Sequence, residues 1–374
     1  MKYYIIAGEA SGDLHASNMM KAIIEKDNEA EFRFWGGDQM KEVGGTLVKH
    51  IKDLAFMGFI EVLMNIRTIA KNIKFCKQDI LDYKPDVLIL IDYPGFNLRI
   101  AEFAHKNKLK VHYYISPQIW AWKQNRVHKI KKVVDEMYCI LPFEKEFYKN
   151  FDVDVNFVGH PLVDAISNFK KTALSKTEFL KKNNLTDKPI LAILPGSRNQ
   201  EIKVKLPIML EASKTFSDYQ LVIAGAPNKS VAFYQEVAKG TDVRIIENQT
   251  YDLLNNSNLA VVTSGTATLE TALFHVPQVV CYKANAISYA IAKRLIKIKY
   301  ISLVNLIMDK LVVTELIQKD LTAKKIISEL KLIENESSDG RIKMKKEYQL
   351  LEEKLGSGGA SKKVASLLIS KINE

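Results

Sequence analysis

Leu259-Ala-Val-Val-Thr-Ser-Gly-Thr-Ala-Thr-Leu-Glu270 is the stretch on which the reading of the fold turns. Five apolar or β-branched residues run into Ser264, Gly265 and Thr266, and a helical period begins there. The stretch therefore reads as a buried strand, a tight turn and a helix N-terminus. Such a turn points backbone N–H groups outward, and the helix dipole adds partial positive charge, so phosphate is a suitable guest. Thr266 and Glu270 share a helix face. A carboxylate at Glu270 can accept hydrogen bonds from a ribose diol while phosphates sit at the helix tip. The same residues also fit a plain strand–helix turn with a surface glutamate, and alone they leave both readings open.

The pattern recurs on either side. Tyr3–Ala7, Phe32–Trp35, Val87–Ile91 and Lys110–Ile115 read as short buried strands, with helices over Leu14–Lys26, Ile66–Tyr83 and Ile100–Asn107 between or after them. The unbroken apolar run Val87-Leu-Ile-Leu-Ile91 is what a central parallel strand requires. Pro189–Leu194, Gln220–Ala224 and Leu259–Thr263 repeat the rhythm later in the chain. The expected fold is α/β, two Rossmann-like doubly wound domains facing across a cleft, with ligands at the carboxyl ends of the strands. The expected division is 1–165, 166–340 and a helical tail, 341–374, able to pack back on the first domain.

Two loops carry opposite charge. Gly8-Glu-Ala-Ser-Gly-Asp13 follows the first strand but does not match G-x-G-x-x-G, so a dinucleotide fingerprint is not supported. Its carboxylates Glu9 and Asp13 repel anions. The loop reads as facing sugar hydroxyls, with Ser11 as a hydrogen-bonding partner, and Asp13 or Ser11 also suits a helix cap. Leu194-Pro-Gly-Ser-Arg198 is the reverse. Gly196 admits a ligand close to the backbone, Ser197 donates, and Arg198 presents a fork suited to diphosphate. Together with Ser264–Thr266 it makes the second half the anion-binding half. Asp92 ends the run Val87–Ile91 at the ligand edge, where partial desolvation raises a carboxyl toward a usable general base; a turn former before Pro94 is the alternative.

Other segments read structurally. Trp120 and Trp122 are expected to pack. Asp152-Val-Asp154 lies in an alternating run and reads as a half-buried strand with outward carboxylates, not a metal motif. No metal or cofactor is expected. Phe56, Met57, Phe59, Ile60, Leu63 and Met64 are too widely spread for one narrow helix stripe and suggest an acyl-binding or membrane-touching surface beyond a core helix. Lys293 and Arg294 would add positive charge for anionic headgroups.

The 374 residues carry a formal charge of +11, which favours an anionic partner, whether phosphorylated substrate, acidic membrane surface or nucleic acid. No nucleic-acid module is recognisable, and the basic residues are scattered. Three widely spaced cysteines suit a reducing compartment. No apolar run has transmembrane length and no signal peptide is evident, so a cytoplasmic chain is expected.

The ordered set of motifs resembles the bacterial lipid-A-disaccharide synthase family, of glycosyltransferase-B type. The residues that carry the resemblance are Ala7–Asp13, Met57-Gly58 with Glu61–Leu63, Ile91-Asp92 with Pro94 and Phe96-Asn97, and Ser116-Pro117 with Trp120–Trp122. Leu141–Glu144, Val158–His160, Leu194–Arg198, Ser264–Glu270 and Tyr300–Asn305 follow in family order. Gly95 and His15 depart from the usual pattern. The resemblance implies inverting, metal-independent transfer from UDP-2,3-diacylglucosamine to 2,3-diacylglucosamine 1-phosphate, giving the β-1,6 disaccharide 1-phosphate and UDP. That reaction needs a base, for which the residues offer Asp92 as the candidate and Glu9 as the alternative, with Glu9 and Ser11 orienting the acceptor. Arg198 and Ser264–Thr266 would hold the diphosphate, and Glu270 the ribose. Asn305 and Gln318 would join the donor site on this analogy alone. A peripheral position on the inner membrane of a Gram-negative bacterium is also implied. A UDP-sugar epimerase of the same plan and a basic nucleic-acid-binding protein are the rivals.

Overall fold

The computed structural model describes residues 1–54, 65–227, 229–285, 289–290, 293–294, 296 and 298–373. They form two compact units. The first comprises Met1–Pro161 with Leu355–Glu374, and the second Leu162–Lys354.

In the first unit the strands are β1 (Lys2–Ala7), β2 (Glu31–Gly36), β3 (Thr46–His50), β4 (Val87–Ile91), β5 (Lys110–Tyr114), β6 (Glu136–Cys139) and β7 (Asn156–Phe157). They form one parallel sheet in the order β3-β2-β1-β4-β5-β6-β7. The order reverses between β1 and β4. The alternation of β4 explains its wholly apolar sequence. Leu88 and Leu90 enter the core on one face, with Tyr4, Trp35 and Phe96. Val87, Ile89 and Ile91 enter the core on the other, with Met19, Ile23 and Phe34. Both faces are sealed by helices, so no position of the strand meets water.

The last helix, Ala360–Asn373, belongs to this unit. It lays Val364, Ala365 and Leu368 into the core formed with Met19 and Ile23. The chain leaves the first unit after Pro161, not 165. It returns at Leu355, so helix Asp339–Leu355 lies almost wholly in the second unit and not in a separate tail 341–374.

The second unit holds β8 (Ile190–Leu194), β9 (Gln220–Gly225), β10 (Arg244–Glu247), β11 (Leu259–Thr263), β12 (Gln278–Tyr282) and β13 (Thr314–Ile317). Its sheet is also parallel, in the order β10-β9-β8-β11-β12-β13, with the reversal between β8 and β11.

Strands β3, β6, β10, β12 and β13 escape a reading by apolar run because several are short and carry polar or charged residues: Lys49 in β3, Glu136 in β6, Arg244 in β10 and Glu315 in β13. Asp152-Val-Asp154 is not a strand. Asp152 takes a left-handed φ of 52° and pairs with Lys131 at 3.9 Å, and only Asn156–Phe157 reach the sheet. The alternation there reflects a turn packed by Val153 and Val155, not a ladder.

Asp13 caps a helix other than its own. Helix Ala10–Ile24 begins after Glu9, which places Asp13 inside the first turn. Its carboxylate accepts from the backbone N–H groups of Gly37 at 2.7 Å, Gln39 at 3.1 Å and Met40 at 3.1 Å, at the start of helix Asp38–Val43. Those donors have no intrahelical partner. Asp13→Ala should therefore destabilise the protein by about 1–3 kcal/mol in urea unfolding, and a loss below about 0.5 kcal/mol would show that water caps the helix equally well.

Candidate functional site

Each unit presents a set of polar groups where its strand order reverses, at the carboxyl ends of two neighbouring strands. In the first unit these are the loops after β1 and β4. Gly8 is buried and Glu9, Ala10 and Ser11 are exposed. A Cβ on Gly8 would lie 2.3 Å from Cγ of Tyr93, so only glycine lets that ring close over the loop. Asp92 and Tyr93 both take left-handed backbone, with φ of 41° and 49°. Consecutive non-glycine residues in this region store strain and need outside support. The support is visible. The Asp92 carbonyl accepts from Asn97 Nδ2 at 2.8 Å and from the Tyr113 hydroxyl at 2.5 Å, and its N–H donates to the Tyr114 carbonyl at 3.1 Å. The Asp92 backbone is thus fully engaged, and its side chain is left at the mouth of the sheet. Burial raises its pKa to about 6, with the negative charge of Glu9 adding to the rise and a hydrogen bond from the Tyr93 backbone opposing it.

In the second unit the loops after β8 and β11 carry the opposite chemistry. Gly196 takes a φ of 102°, and a Cβ there would press on Glu201 Oε2 at 3.3 Å and Thr263 Cγ2 at 3.4 Å. Ser197 and Arg198 are exposed, and Arg198 pairs with Glu201 at 3.4 Å. Gly265 and Thr266 are exposed at the start of helix Thr266–Leu273. Ser264 donates to the Ile301 carbonyl at 2.8 Å. Glu270 accepts from the Tyr251 hydroxyl at 3.1 Å, and burial raises its pKa despite that bond. Gln318, just past β13, accepts from the Ala284 N–H at 3.3 Å on the same edge of the sheet.

Three groups in this cluster have no counterpart in the sequence reading. Lys205 is buried with an exposure of 1 %, and it meets Glu201 at 3.4 Å, so Glu201 bridges it to Arg198. Burial lowers the lysine's pKa, and Glu201 opposes the shift. Thr263 Oγ1 is buried beside Gly196 with no hydrogen-bond partner among the described residues. The spacing Arg198–Glu201–Lys205, on one helix face, was the available signal for the first two.

Asn305 corrects an expectation taken from the resemblance. It is fully buried, and its amide donates to the Val313 carbonyl and Glu315 Oε1 and accepts from the N–H groups of Val312 and Val313. That exhausts an amide's capacity, so Asn305 braces the loop before β13 instead of reaching outward. Of the apolar surface expected around Leu54–Ile66, residues Phe56, Met57, Phe59, Ile60, Leu63 and Met64 lie outside the described residues. Lys293 and Arg294 are described and exposed.

Two doubly wound parallel units, with an anion-friendly turn in one and a raised carboxyl in the other, are the architecture of glycosyltransferase-B-type enzymes that handle nucleotide sugars. Solved structures of this fold include a UDP-GlcNAc 2-epimerase from Neisseria meningitidis bound to UDP-GlcNAc, with a TM-score of 0.65, 17% identity and coverage of 99% of this chain and 100% of that one. A glycotransferase of kitacinnamycin superposes with a TM-score of 0.66 at 10% identity, covering 99% and 98%. At these identities the likeness concerns the fold alone. The sequence goes further: the lipid-A-disaccharide synthetase family model matches residues 3–369, and the chain belongs to that family. It is 38% identical to the lipid-A-disaccharide synthase of Syntrophus aciditrophicus, over 99% of this chain and 97% of the relative. It is 35% identical to that of Geobacter sulfurreducens, with the same coverage.

The Asp92–Glu9 coupling can be read directly. In carboxyl-labelled protein followed by NMR, Asp92 should titrate near pH 6. Glu9→Gln removes a neighbouring negative charge and should lower that midpoint; an unchanged midpoint would leave burial as the sole cause.

Proposed function

We propose that this protein is an inverting, metal-independent hexosyltransferase that moves 2,3-diacylglucosamine from UDP-2,3-diacylglucosamine to the 6-hydroxyl of 2,3-diacylglucosamine 1-phosphate. The products are the β-1,6-linked disaccharide 1-phosphate and UDP. Asp92 accepts the proton of the attacking hydroxyl. The hydroxyl oxygen bonds to the sugar C1 as the bond from C1 to the diphosphate breaks, and the electron pair leaves with UDP. A single displacement of an α-linked leaving group inverts the centre. Arg198, Ser197 and the backbone N–H groups at Gly196, Gly265 and Thr266 meet the charge that develops on the diphosphate, whereas Ser264, whose N–H is taken by the Cys281 carbonyl and whose hydroxyl is taken by the Ile301 carbonyl, braces the turn. Glu270 takes the ribose, and Gln318 lies on the same edge for the donor.

The observation that carries this reading is the sorting of charge between the two reversal points. Asp92, with its pKa raised to about 6, stands at one, and an arginine beside a glycine turn and a helix start stands at the other. A base of that pKa is deprotonated at neutral pH yet still a competent proton acceptor. Glu9 and Ser11, exposed on the loop after β1, are suited to hold acceptor hydroxyls.

A place on the inner-membrane surface is part of the proposal. No helix among the described residues is long and apolar enough to cross a membrane. Exposed Lys293 and Arg294 would supply attraction to anionic lipid.

The reaction is tested by incubating the protein with both acylated substrates in the presence of EDTA. Disaccharide 1-phosphate and UDP should appear, and epimerised UDP-sugar without disaccharide would sink the reading. Asp92→Asn should lower kcat by roughly 100-fold or more while UDP binding persists. In the unaltered enzyme kcat should fall as pH drops through about 6, because protonation of Asp92 removes the base. A flat profile between pH 5 and 8 in a buffer-independent assay would assign the proton to another group.

A further inference from the structure

The loop after β5 holds a group of side chains that the donor chemistry does not use. Trp120 and Trp122 divide sharply. Trp120 is buried at 8 % exposure, packs edge-on against Phe143 at 4.9 Å and donates from Nε1 to Glu144 Oε1 at 3.3 Å. Trp122, expected to pack, is instead 42% exposed. The loop itself is firmly held. Ser116 and Tyr148 share a hydrogen bond of 2.9 Å, Glu144 accepts from the Leu141 N–H at 3.0 Å, and Gln124 Nε2 donates to the Trp120 carbonyl at 3.1 Å. Trp122 therefore stands out from a rigid base.

Two cations sit on its ring. Lys123 Nζ is 4.3 Å from the ring centroid and the Arg126 guanidinium carbon 5.8 Å. Lys123 takes a left-handed φ of 56°, and Arg126 is half-buried. Among the described residues neither has an acidic partner. A ring face fixes a cation without consuming its N–H donors, whereas a carboxylate would fix it by consuming them. The result is two positioned cations whose side-chain donors no described carboxylate claims. They belong to the reversal edge of the first unit: β5 is the neighbour of β4, and the buried Tyr113 links the two, its hydroxyl donating to the Asp92 carbonyl while the Arg126 charge also reaches it.

We infer that Lys123 and Arg126, held by Trp122, form the subsite for the phosphate of a sugar-phosphate acceptor. The inference rests on the reaction proposed above, in which the acceptor carries an anomeric phosphate and its hydroxyl must reach Asp92. A phosphate held at the end of β5 would fix one end of that sugar while β4 presents the base. Without the two cations, a negatively charged acceptor would approach Glu9 and Asp92 against their repulsion.

Only three tryptophans are present, and Trp35 and Trp120 are both buried, so Trp122 is the reporter for a titration of the full-length protein followed by fluorescence. Glucosamine 1-phosphate should change the signal saturably, and Trp122→Phe should abolish the change. The K123Q/R126Q double variant, with near-UV dichroism and UDP binding as checks on folding, should bind glucosamine 1-phosphate roughly tenfold more weakly or worse. Steady-state rates should agree: the preference for phosphorylated over dephosphorylated acceptor should fall by a similar factor, as a rise in acceptor KM, with donor KM little changed. Equal binding by the double variant would overturn the inference. So would binding of inorganic phosphate as tight as that of the sugar phosphate. A Trp122 response to phosphatidylglycerol vesicles but not to glucosamine 1-phosphate would reassign the cluster to a lipid surface and also overturn it. The binding arm stands apart from turnover: a wild-type protein that binds glucosamine 1-phosphate here but forms no disaccharide would remove the reaction and leave the site.

Discussion

Two neighbouring parallel strands whose onward connections depart in opposite directions leave a gap at their shared carboxyl end that neither connection can cover. This constraint organises both units. Helix starts and strand-end side chains lie at that gap, beyond the reach of the sheet's ladder. In the first unit the gap lies between β1 and β4, in the second between β8 and β11. Every group assigned to chemistry except Gln318, which follows β13, is on the loops and helix starts after those strands or after their immediate neighbours. The same architecture serves unrelated reactions, so what distinguishes this chain is which charges it places there.

The first gap is made acidic at a conformational cost. Asp92 and Tyr93 hold left-handed backbone because Tyr113, Asn97 and the sheet claim the Asp92 carbonyl and N–H. Gly8 makes room for the Tyr93 ring. The side chain cannot relax away without breaking those bonds, so its carboxylate stays in a partly dry position beside Glu9. The second gap is made cationic more cheaply. A single glycine turn, a helix start and an arginine suffice, with Glu201 shared between Arg198 and the buried Lys205. An arriving diphosphate would compete with Glu201 for Arg198, and Lys205 would keep Glu201 neutralised when Arg198 departs.

Aromatic rings play two different parts around the first gap. Tyr113, Trp120 and Tyr148 are buried struts whose polar tips end in hydrogen bonds. Glu144 lies among them, and burial lifts its pKa to about 8, against hydrogen bonds from Leu141, Ser116 and Trp120. Trp122 is the exception, an exposed ring that orders cations.

Local sequence was enough for the alternating strand–helix rhythm, for the boundaries of Leu259–Thr263, Val87–Ile91 and Ile66–Tyr83, and for the opposed charge of the two loop sets. Each of these is written in residues adjacent along the chain, through apolar runs, helical periods and turn glycines. The roles of Asp13, Asn305 and Trp122 were not legible there, because each depends on contacts with residues that the folded chain brings close. Asp13 meets Gly37, at the start of helix Asp38–Val43, across 24 residues, and Asn305 meets Glu315 of the strand that follows its own loop. Trp120 and Trp122 look equivalent in sequence, yet the backbone turns one into the core and the other outward. The short edge strands and the return of helix Ala360–Asn373 were likewise decided by tertiary packing. A half-polar segment becomes a strand only when a sheet edge awaits it, and a terminal helix finds its place only where an apolar face remains uncovered.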